Sequence, residues 1–286
     1  MMKIKTYEIY PGAVIETYDV CSKKVYFFDR LLPEDQWSLR LDYCISGRLE
    51  AEFTGNKCAY LDAGQMAVNT HRYEMRSSHF PLKLYKGLSI LIYKPKLTEK
   101  YLQIWKVLGL DIDEINEKVD CNAVWMIERA SPKMEEVFGT LYFAAGEEEP
   151  EFIWIKLTEL LYQVKKMVND RRQEYFYFAG DAADRMKNAV KQVLHSREYS
   201  VERMIELSGI GASAFYENFR KIYGTSPAKY VRDFRLGEAA AKLFSTKLSI
   251  QNIAAEAGYL NSSKFSSAFR KLYGISPTEY RSKRLR

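Results

Sequence analysis

Two stretches near the C-terminus repeat each other, and this repeat constrains the fold more than any other feature of the chain. The first, residues 200–235, reads SVERMIELSGIGASAFYENFRKIYGTSPAKYVRDFR. The second, residues 249–284, reads SIQNIAAEAGYLNSSKFSSAFRKLYGISPTEYRSKR. Both contain the pattern F-x-x-x-F-R-K-[IL]-Y-G-x-S-P. A repeat this close indicates one supersecondary unit that is used twice.

Each copy of the repeat predicts a helix, a tight turn and a second helix. A leading serine is suited to cap the first helix, and a central glycine permits the left-handed conformation that ends it. The second helix carries an apolar stripe at i, i+4 and i+7 spacing, formed by Phe215, Phe219 and Ile222 in one copy and by Phe265, Phe269 and Leu272 in the other. A glycine then stops this helix, and a Ser-Pro pair starts another.

The side of each second helix that faces away from its apolar stripe carries small, hydrogen-bonding and charged residues. At about 100° per residue, these are Ser213, Tyr216, Glu217 and Arg220 in copy one and Ser263, Ser266, Ser267 and Arg270 in copy two. A solvated face would explain one such helix, but two copies favour helices that lie in the DNA major groove. The joining helix, Pro227–Phe244, would span about 27 Å, which suits two reading helices about one DNA turn, near 34 Å, apart.

The excess of positive over negative charge is confined to the same region. Residues 181–286 contain 19 Lys and Arg against 10 Asp and Glu, whereas the other 180 residues contain 24 against 27. A basic domain joined to a mildly acidic one indicates that only the C-terminal part meets a polyanion.

The first ninety-odd residues show the alternation of strands. Residues 37–54 predict a hairpin with a turn at Ser46-Gly47, and further short strands predict a sandwich or small barrel. Residues 97–118, 132–145 and 152–171 instead have helical spacing. Their clearest apolar stripe is Ile153, Leu157, Leu160, Leu161 and Val164. This stripe could pack on the barrel or pair with a second subunit.

Roughly residues 184–286 resemble the AraC-type (AraC/XylS) transcriptional regulators. The resemblance rests on Gly258-Tyr-Leu-Asn-Ser-Ser-Lys-Phe265 followed by Phe269-Arg-Lys-Leu-Tyr-Gly-Ile-Ser-Pro-Thr-Glu-Tyr-Arg281. It implies two recognition helices whose base-facing residues are Ser213, Tyr216, Glu217, Ser262, Ser263, Lys264 and Ser267. Phosphate contacts are expected from Arg220, Lys221, Arg270 and Lys271. Glu217 departs from the basic or amide residue common there. It either accepts a hydrogen bond from a cytosine amino group, or it repels phosphate and makes no base contact.

The N-terminal half resembles the cupin-like sensory domains that many AraC-type regulators carry. Such domains often bind a small effector and often dimerise, so the resemblance implies an effector site for which Arg30, Arg40, His71 and Tyr73 are the candidate polar groups. Two alternatives stay open: His71 and Tyr73 could belong to a surface loop, and the barrel could serve dimerisation alone. The paired histidines of a metal-binding cupin are missing from the sequence.

Together these patterns predict an α+β chain of several parts. They are a cupin-like effector or dimerisation β-barrel (1–95), a helical extension and linker (96–180), and an all-α DNA-binding domain with two helix-turn-helix units (181–286). The predicted function is that of a sequence-specific transcription regulator, with activation favoured by the resemblance alone. The expected partners are an operator duplex, a small-molecule effector, RNA polymerase and a second copy of the chain.

Catalysis and metal or cofactor binding are not expected. The three histidines are few for a metal site, and the spacing of Cys21, Cys44, Cys58 and Cys121 fits neither a zinc pattern nor a CxxC pair. None of the four cysteines has the neighbours that would activate it for alkyl transfer, and a nucleoid-coating protein would need broader positive charge. The N-terminus lacks the pattern of a signal peptide, and no apolar run is long enough to span a membrane, so a cytoplasmic location is expected.

Overall fold

A computed structural model describes residues 2–21, 27–28, 38–53, 57–69, 75–82, 84–120, 125–170, 181–196 and 199–282. Within these ranges an antiparallel sheet domain with flanking helices precedes an all-helical domain. This architecture confirms the predicted fold class. The likeness of the sheet to a cupin barrel, and the domain boundaries at residues 95 and 180, stay predictions.

The sheet contains nine strands among the described residues, and every pairing in it is antiparallel. In chain order they are β1 (Met2–Tyr10), β2 (Ala13–Cys21), β3 (Phe27–Phe28), β4 (Leu39–Phe53), β5 (Lys57–Asp62), β6 (Gln65–Asn69), β7 (Met75–His79), β8 (Leu84–Ile92) and β9 (Trp125–Arg129). The main path runs β1-β2-β8-β4-β6-β9, and the second half of β4 also pairs with β5 and β7. The long strand β4 therefore joins two layers of sheet.

The predicted hairpin over residues 37–54 is wrong, because its described residues Leu39–Phe53 form the single strand β4. The register against β8 shifts between Cys44 and Ser46, which marks a β-bulge, and Gly47 has a φ of 90°. A Cβ at Gly47 would overlap the carbonyl of Leu84 on β8. Glycine is thus needed here for a bulge and for close approach of two backbones, and not for a chain reversal.

In the described part of the chain, four α-helices cover one face of the sheet: α1 (Glu99–Val107), α2 (Ile112–Asp120), α3 (Pro132–Ala144) and α4 (Pro150–Asp170). The sequence predicted one helix over 97–118, but Gly109, with a φ of 68°, separates α1 from α2. Strand β9, which was not predicted, adds to the sheet edge beyond β6.

The sequence left open whether the apolar stripe of α4 packs on the sheet or pairs with a second subunit. Ile153, Leu157 and Val164 are at most 2% exposed and belong to one core with the sheet residues Ile15, Leu41 and others. The stripe therefore packs within the chain. Since this core draws on residues from both sides of position 95, the strands and the four helices share one hydrophobic interior.

The C-terminal domain contains seven helices among the described residues. They are α5 (Asp181–Ser196), α6 (Val201–Ser208), α7 (Ala212–Tyr223), α8 (Pro227–Ser245), α9 (Ile250–Glu256), α10 (Ser262–Tyr273) and α11 (Pro277–Ser282). Two separate cores lie within it, one around Phe215 and Phe219 and one around Phe265 and Phe269. Helix α8 contributes Tyr230 and Val231 to the first core and Leu236 and Leu243 to the second. Helix α8 is therefore a rod that packs into the cores of both units.

No helix in the described part of the chain is both long enough and apolar enough to cross a membrane.

Candidate nucleic-acid interface

Helices α6 and α7 form the first helix-turn-helix unit. The Ser200 side chain accepts a hydrogen bond from the Arg203 backbone N–H at 3.1 Å, which caps α6 as predicted. The turn follows at Gly209, which has a φ of 62°. Gly224, with a φ of 64°, ends α7. Left-handed backbone at both positions is the reason that glycine recurs there.

Helices α9 and α10 form the second unit with the same local geometry. The Ser249 side chain accepts from the Asn252 N–H at 3.1 Å and caps α9. Gly258 and Gly274 have φ values of 82° and 76°. The helix-turn-helix interpretation of both repeats is therefore confirmed at the level of individual caps and turns.

The phenylalanines of the two apolar stripes are buried, Leu272 is partly buried, and the predicted base-facing side chains opposite them are exposed. Phe215, Phe219, Phe265 and Phe269 are each 0% exposed. The side chains predicted to face bases are all exposed, namely Ser213, Tyr216 and Glu217 on α7 and Ser262, Ser263, Lys264 and Ser267 on α10. Each helix thus presents one polar face to solvent along its length, which is the geometry that a major-groove reading helix needs.

The predicted phosphate-binding side chains lie toward the C-terminal ends of the same two helices. Arg220, Arg270 and Lys271 are exposed, and Lys221 is partly exposed. These cations stand on the last turns of α7 and α10, where they also interact favourably with the helix dipole.

Glu217 forms an ion pair that the sequence analysis did not foresee. Its Oε1 accepts a hydrogen bond from Nζ of Lys221, one turn later, at 2.6 Å. That hydrogen bond and the Lys221 charge lower the pKa of the Glu217 carboxyl. The carboxylate therefore balances one of the candidate phosphate ligands.

A shallow cavity of about 440 Å³ lies between α7 and the start of α8. Tyr216, Arg220 and Lys221 line one side, and Ser226 and Pro227 line the other. Ser226 caps α8 by accepting from the Lys229 N–H at 3.3 Å. Glu217 lines the same cavity and balances Lys221, so Arg220 is the cation there that Glu217 does not balance. It lies beside the N-terminus of a 19-residue helix, an arrangement that favours anions.

The N-cap of α10 is a residue that the sequence analysis missed. The Asn261 side chain accepts from the backbone N–H groups of Ser263 and Lys264 at 2.7 and 3.4 Å. Leu260, directly before it, is fully exposed. An asparagine that precedes a run of small residues is a recognisable capping signal, so Asn261 could have been found from sequence.

Of the candidate effector residues, only Arg40 lies within the described part of the chain; Arg30, His71 and Tyr73 do not. Arg40 is 7% exposed on β4, and its Nε donates to both carboxylate oxygens of Asp42 at 2.9 and 3.0 Å. Its Nη2 donates to Ser89 at 3.1 Å. A ligand at this position would have to compete with these internal bonds.

Residues 185–283 match the family model described as "Helix-turn-helix domain". No curated protein matches the chain. Among solved structures, ToxT from Vibrio cholerae is 13% identical over 95% of this chain and 98% of its own, with a TM-score of 0.37. The DNA-binding domain of AdpA in complex with a target DNA is 22% identical over 35% of this chain and 91% of its own, with a TM-score of 0.32. The C-terminal domain of AraT from Geobacillus stearothermophilus is 27% identical over 37% and 87%, with a TM-score of 0.32.

The family match spans the described helices from α5 to the end of α11 and includes both helix-turn-helix units. It coincides with the region that contains the repeat, the buried phenylalanine stripes and the excess of positive charge. Residues 185–283 therefore form a helix-turn-helix domain, as the repeat in the sequence predicted.

Proposed function

We propose that this protein binds a specific operator duplex through α7 and α10, with one reading helix in each of two successive major grooves. The observation that carries the proposal is the pair of exposed polar faces on two helices joined by the single rod α8. Helix α8 has 19 residues, which corresponds to about 28 Å at 1.5 Å per residue. This length is compatible with reading helices about one DNA turn apart, near 34 Å.

In this proposal the residues on each helix divide into two groups. Ser213, Tyr216, Glu217, Ser262, Ser263, Lys264 and Ser267 reach base edges. Arg220, Lys221, Arg270 and Lys271 neutralise phosphates and fix the register of each helix. Base contacts specify sequence, whereas phosphate contacts position the protein and make binding depend on salt.

Replacing Ser263 or Lys264 with alanine is expected to change which operator bases are preferred. The cost is about 1–3 kcal/mol for each good base contact that is lost. Selection of binding sites from a randomised duplex pool by the wild-type and variant chains measures both effects. A Ser263→Ala variant that keeps the wild-type consensus and affinity would contradict the placement of α10 in the groove.

Replacing Lys271 with alanine is expected to weaken binding to all sequences alike and to reduce the salt slope by about one. Lys221→Ala is expected to act in the same way, but less strongly, because Glu217 already balances that charge. The matched control is Lys133→Ala, which removes an exposed lysine from the N-terminus of α3 in the other domain. Equal salt slopes for Lys133→Ala and Lys271→Ala would contradict the anchoring role.

We further propose that a small-molecule effector bound in the N-terminal domain controls this DNA binding. The proposal is supported by the buried polar cluster of Glu16, Arg40, Asp42, Asn69 and Ser89 within the sheet. The Oδ1 atom of Asn69 is buried without a hydrogen-bond partner there. The alternative is that the sheet domain serves dimerisation alone.

An effector present at a hundred times its dissociation constant is expected to stabilise the protein by about 2.7 kcal/mol. Thermal-shift screening of the full chain against sugars, organic acids, amino acids and siderophore-like compounds measures this. A compound that raises the melting temperature and also changes operator affinity supports effector control. A broad screen without any stabilising compound, together with unresponsive DNA binding, supports the dimerisation-only alternative.

The proposal has four further parts: activation of transcription, contact with RNA polymerase, a homodimeric state and action in the cytoplasm. The first two follow from the family resemblance. The dimer is supported by Phe152, Ile155 and Tyr162, which are 38%, 62% and 59% exposed on α4 and leave an apolar surface beside the buried stripe.

A further inference from the structure

The C-terminal end of the first reading helix lies against the N-terminal sheet, and one buried arginine joins the two. Nη2 of Arg48, on β4, donates a hydrogen bond to the backbone carbonyl of Tyr223 at 2.7 Å. Tyr223 is the last residue of α7, so its carbonyl is among those without a partner inside the helix. A cation at this position also complements the negative end of the helix dipole.

Carboxylates of the sheet hold the Arg48 guanidinium in place. Nε donates to Oε1 of Glu50 at 2.6 Å, and Nη1 donates to Oδ1 of Asp62 at 2.8 Å. The Arg48 side chain is 3% exposed. Burial would raise the pKa of Glu50, but the Arg48 charge and a hydrogen bond from His79 together lower it to about 2. The guanidinium is thus held in one orientation, with Nη2 directed at α7.

Side chains around Arg48 extend the contact to the junction of α7 and α8. The Tyr230 hydroxyl, on α8, donates to Oε2 of Glu50 at 3.3 Å. The guanidinium stacks over the Tyr60 ring at 4.4 Å from the ring centroid. A Cβ at Gly224 would overlap the same ring. Glycine at this helix end therefore serves two purposes: it adopts the left-handed conformation, and it lets the sheet approach.

Two peripheral contacts lie on either side of this cluster. Nζ of Lys187, on α5, lies 3.8 Å from Oε1 of Glu52, on β4. A Cβ at Gly237, on α8, would lie 2.5 Å from the carbonyl of Leu82, so the two backbones are nearly in contact. The N-terminal domain thus contacts α5, α7 and α8.

This contact leaves the reading face of α7 uncovered, because Ser213, Tyr216, Glu217 and Arg220 are all exposed while Arg48 is engaged. The arginine therefore orients α7 and does not block it. Building on the operator binding proposed above, we propose that Arg48 is a positioning residue. It sets the angle of α7 for its half-site, the stretch of operator that α7 contacts, and transmits the state of the sheet domain to that half-site.

Hydroxyl-radical footprinting of the full chain tests this assignment. The probe is the tightest duplex that the wild-type chain selects from a randomised pool. Arg48→Met is expected to raise the protein concentration needed for half-maximal protection of the α7 half-site by at least about tenfold. The corresponding concentration for the α10 half-site is expected to change by less than about twofold. Arg48→Lys keeps the charge but cannot direct hydrogen bonds at Glu50, Asp62 and the Tyr223 carbonyl in the same geometry. It is therefore expected to retain protection of the α7 half-site only in part.

Tyr230→Phe is the second variant, because it removes one hydroxyl and leaves the packing of α8 intact. It is expected to weaken the α7 half-site selectively as well, by a smaller factor. Unchanged protection of both half-sites by either variant, or equal loss at both, would overturn the proposal. Absence of protection by the wild-type chain would instead count against operator binding, so the two failures are distinguishable.

Discussion

Phe269→Ala is expected to lower the free energy of unfolding of the C-terminal domain by about 3–5 kcal/mol. Phe269 is 0% exposed in the core of the second helix-turn-helix unit. Its ring lies 4.3 Å from that of Tyr273 and 5.3 Å from that of Tyr280, measured between centroids. Alanine would leave a cavity between α10 and α11 that the short helices cannot fill. Urea unfolding of the full chain, followed by helical circular dichroism, measures the loss.

The matched control for this change is Phe143→Ala on α3. Phe143 is 70% exposed, so the same truncation there is expected to change stability by less than about 0.5 kcal/mol. Operator affinity is expected to fall for Phe269→Ala and to stay unchanged for Phe143→Ala. Similar losses of stability for both variants would mean that the second phenylalanine stripe is not the core of α9–α11.

Asp42→Ala is expected to destabilise the sheet domain by about 3–5 kcal/mol, because it leaves the charge of Arg40 buried without its main partner. Asp42 is 1% exposed and accepts hydrogen bonds from Arg40, from Ser89 at 2.5 Å and from Asn69 at 2.5 Å. Thermal unfolding of the full chain, followed by tryptophan fluorescence, reports this domain, since all four tryptophans (Trp37, Trp105, Trp125 and Trp154) precede residue 181.

Two further variants decide whether charge is the cause. Arg40→Met combined with Asp42→Ala removes both charges and is expected to recover part of the loss. Asp113→Ala breaks the ion pair between Asp113 and Lys94. Because the Asp113 side chain is 61% exposed, the change is expected to lower the free energy of unfolding by at most about 1 kcal/mol. If the double variant were less stable than Asp42→Ala alone, the cluster would be held together by packing and not by charge balance.

Sequence patterns predicted the C-terminal domain in detail because its determinants are local. The capping serines, the left-handed glycines and the phenylalanine spacing each act within one or two turns of chain. Their repetition also identified which helix face would be exposed. The positions of Ser213 and Ser263 therefore followed from counting along a helix, and the structure places both on the expected side.

The N-terminal domain was predicted less well because its determinants are distant in sequence. Ser46-Gly47 has the composition of a hairpin turn, and only the Leu84 carbonyl on β8 shows that Gly47 belongs to a bulge. Strand β9 pairs with β6, and the paired residues are 56 to 64 positions apart in the chain, a contact that no local pattern encodes.

The role of Arg48 shows the same limit for a functional contact. The residues that it joins, Glu50 on one side and the Tyr223 carbonyl on the other, meet only because the sheet packs on α7. No motif around position 48 distinguishes it from other arginines of the strands. It was found through its burial and its three directed hydrogen bonds.

A competition gel shift with the full chain tests the central claim, sequence-specific duplex binding by the C-terminal domain, most directly. The probe is DNA from upstream of the gene, with either the same unlabelled DNA or a shuffled duplex as competitor. Preference for the upstream duplex is expected at physiological salt, and affinity is expected to fall steeply as salt rises, because several phosphates are neutralised. Equal competition by the shuffled duplex at that salt concentration would contradict the account.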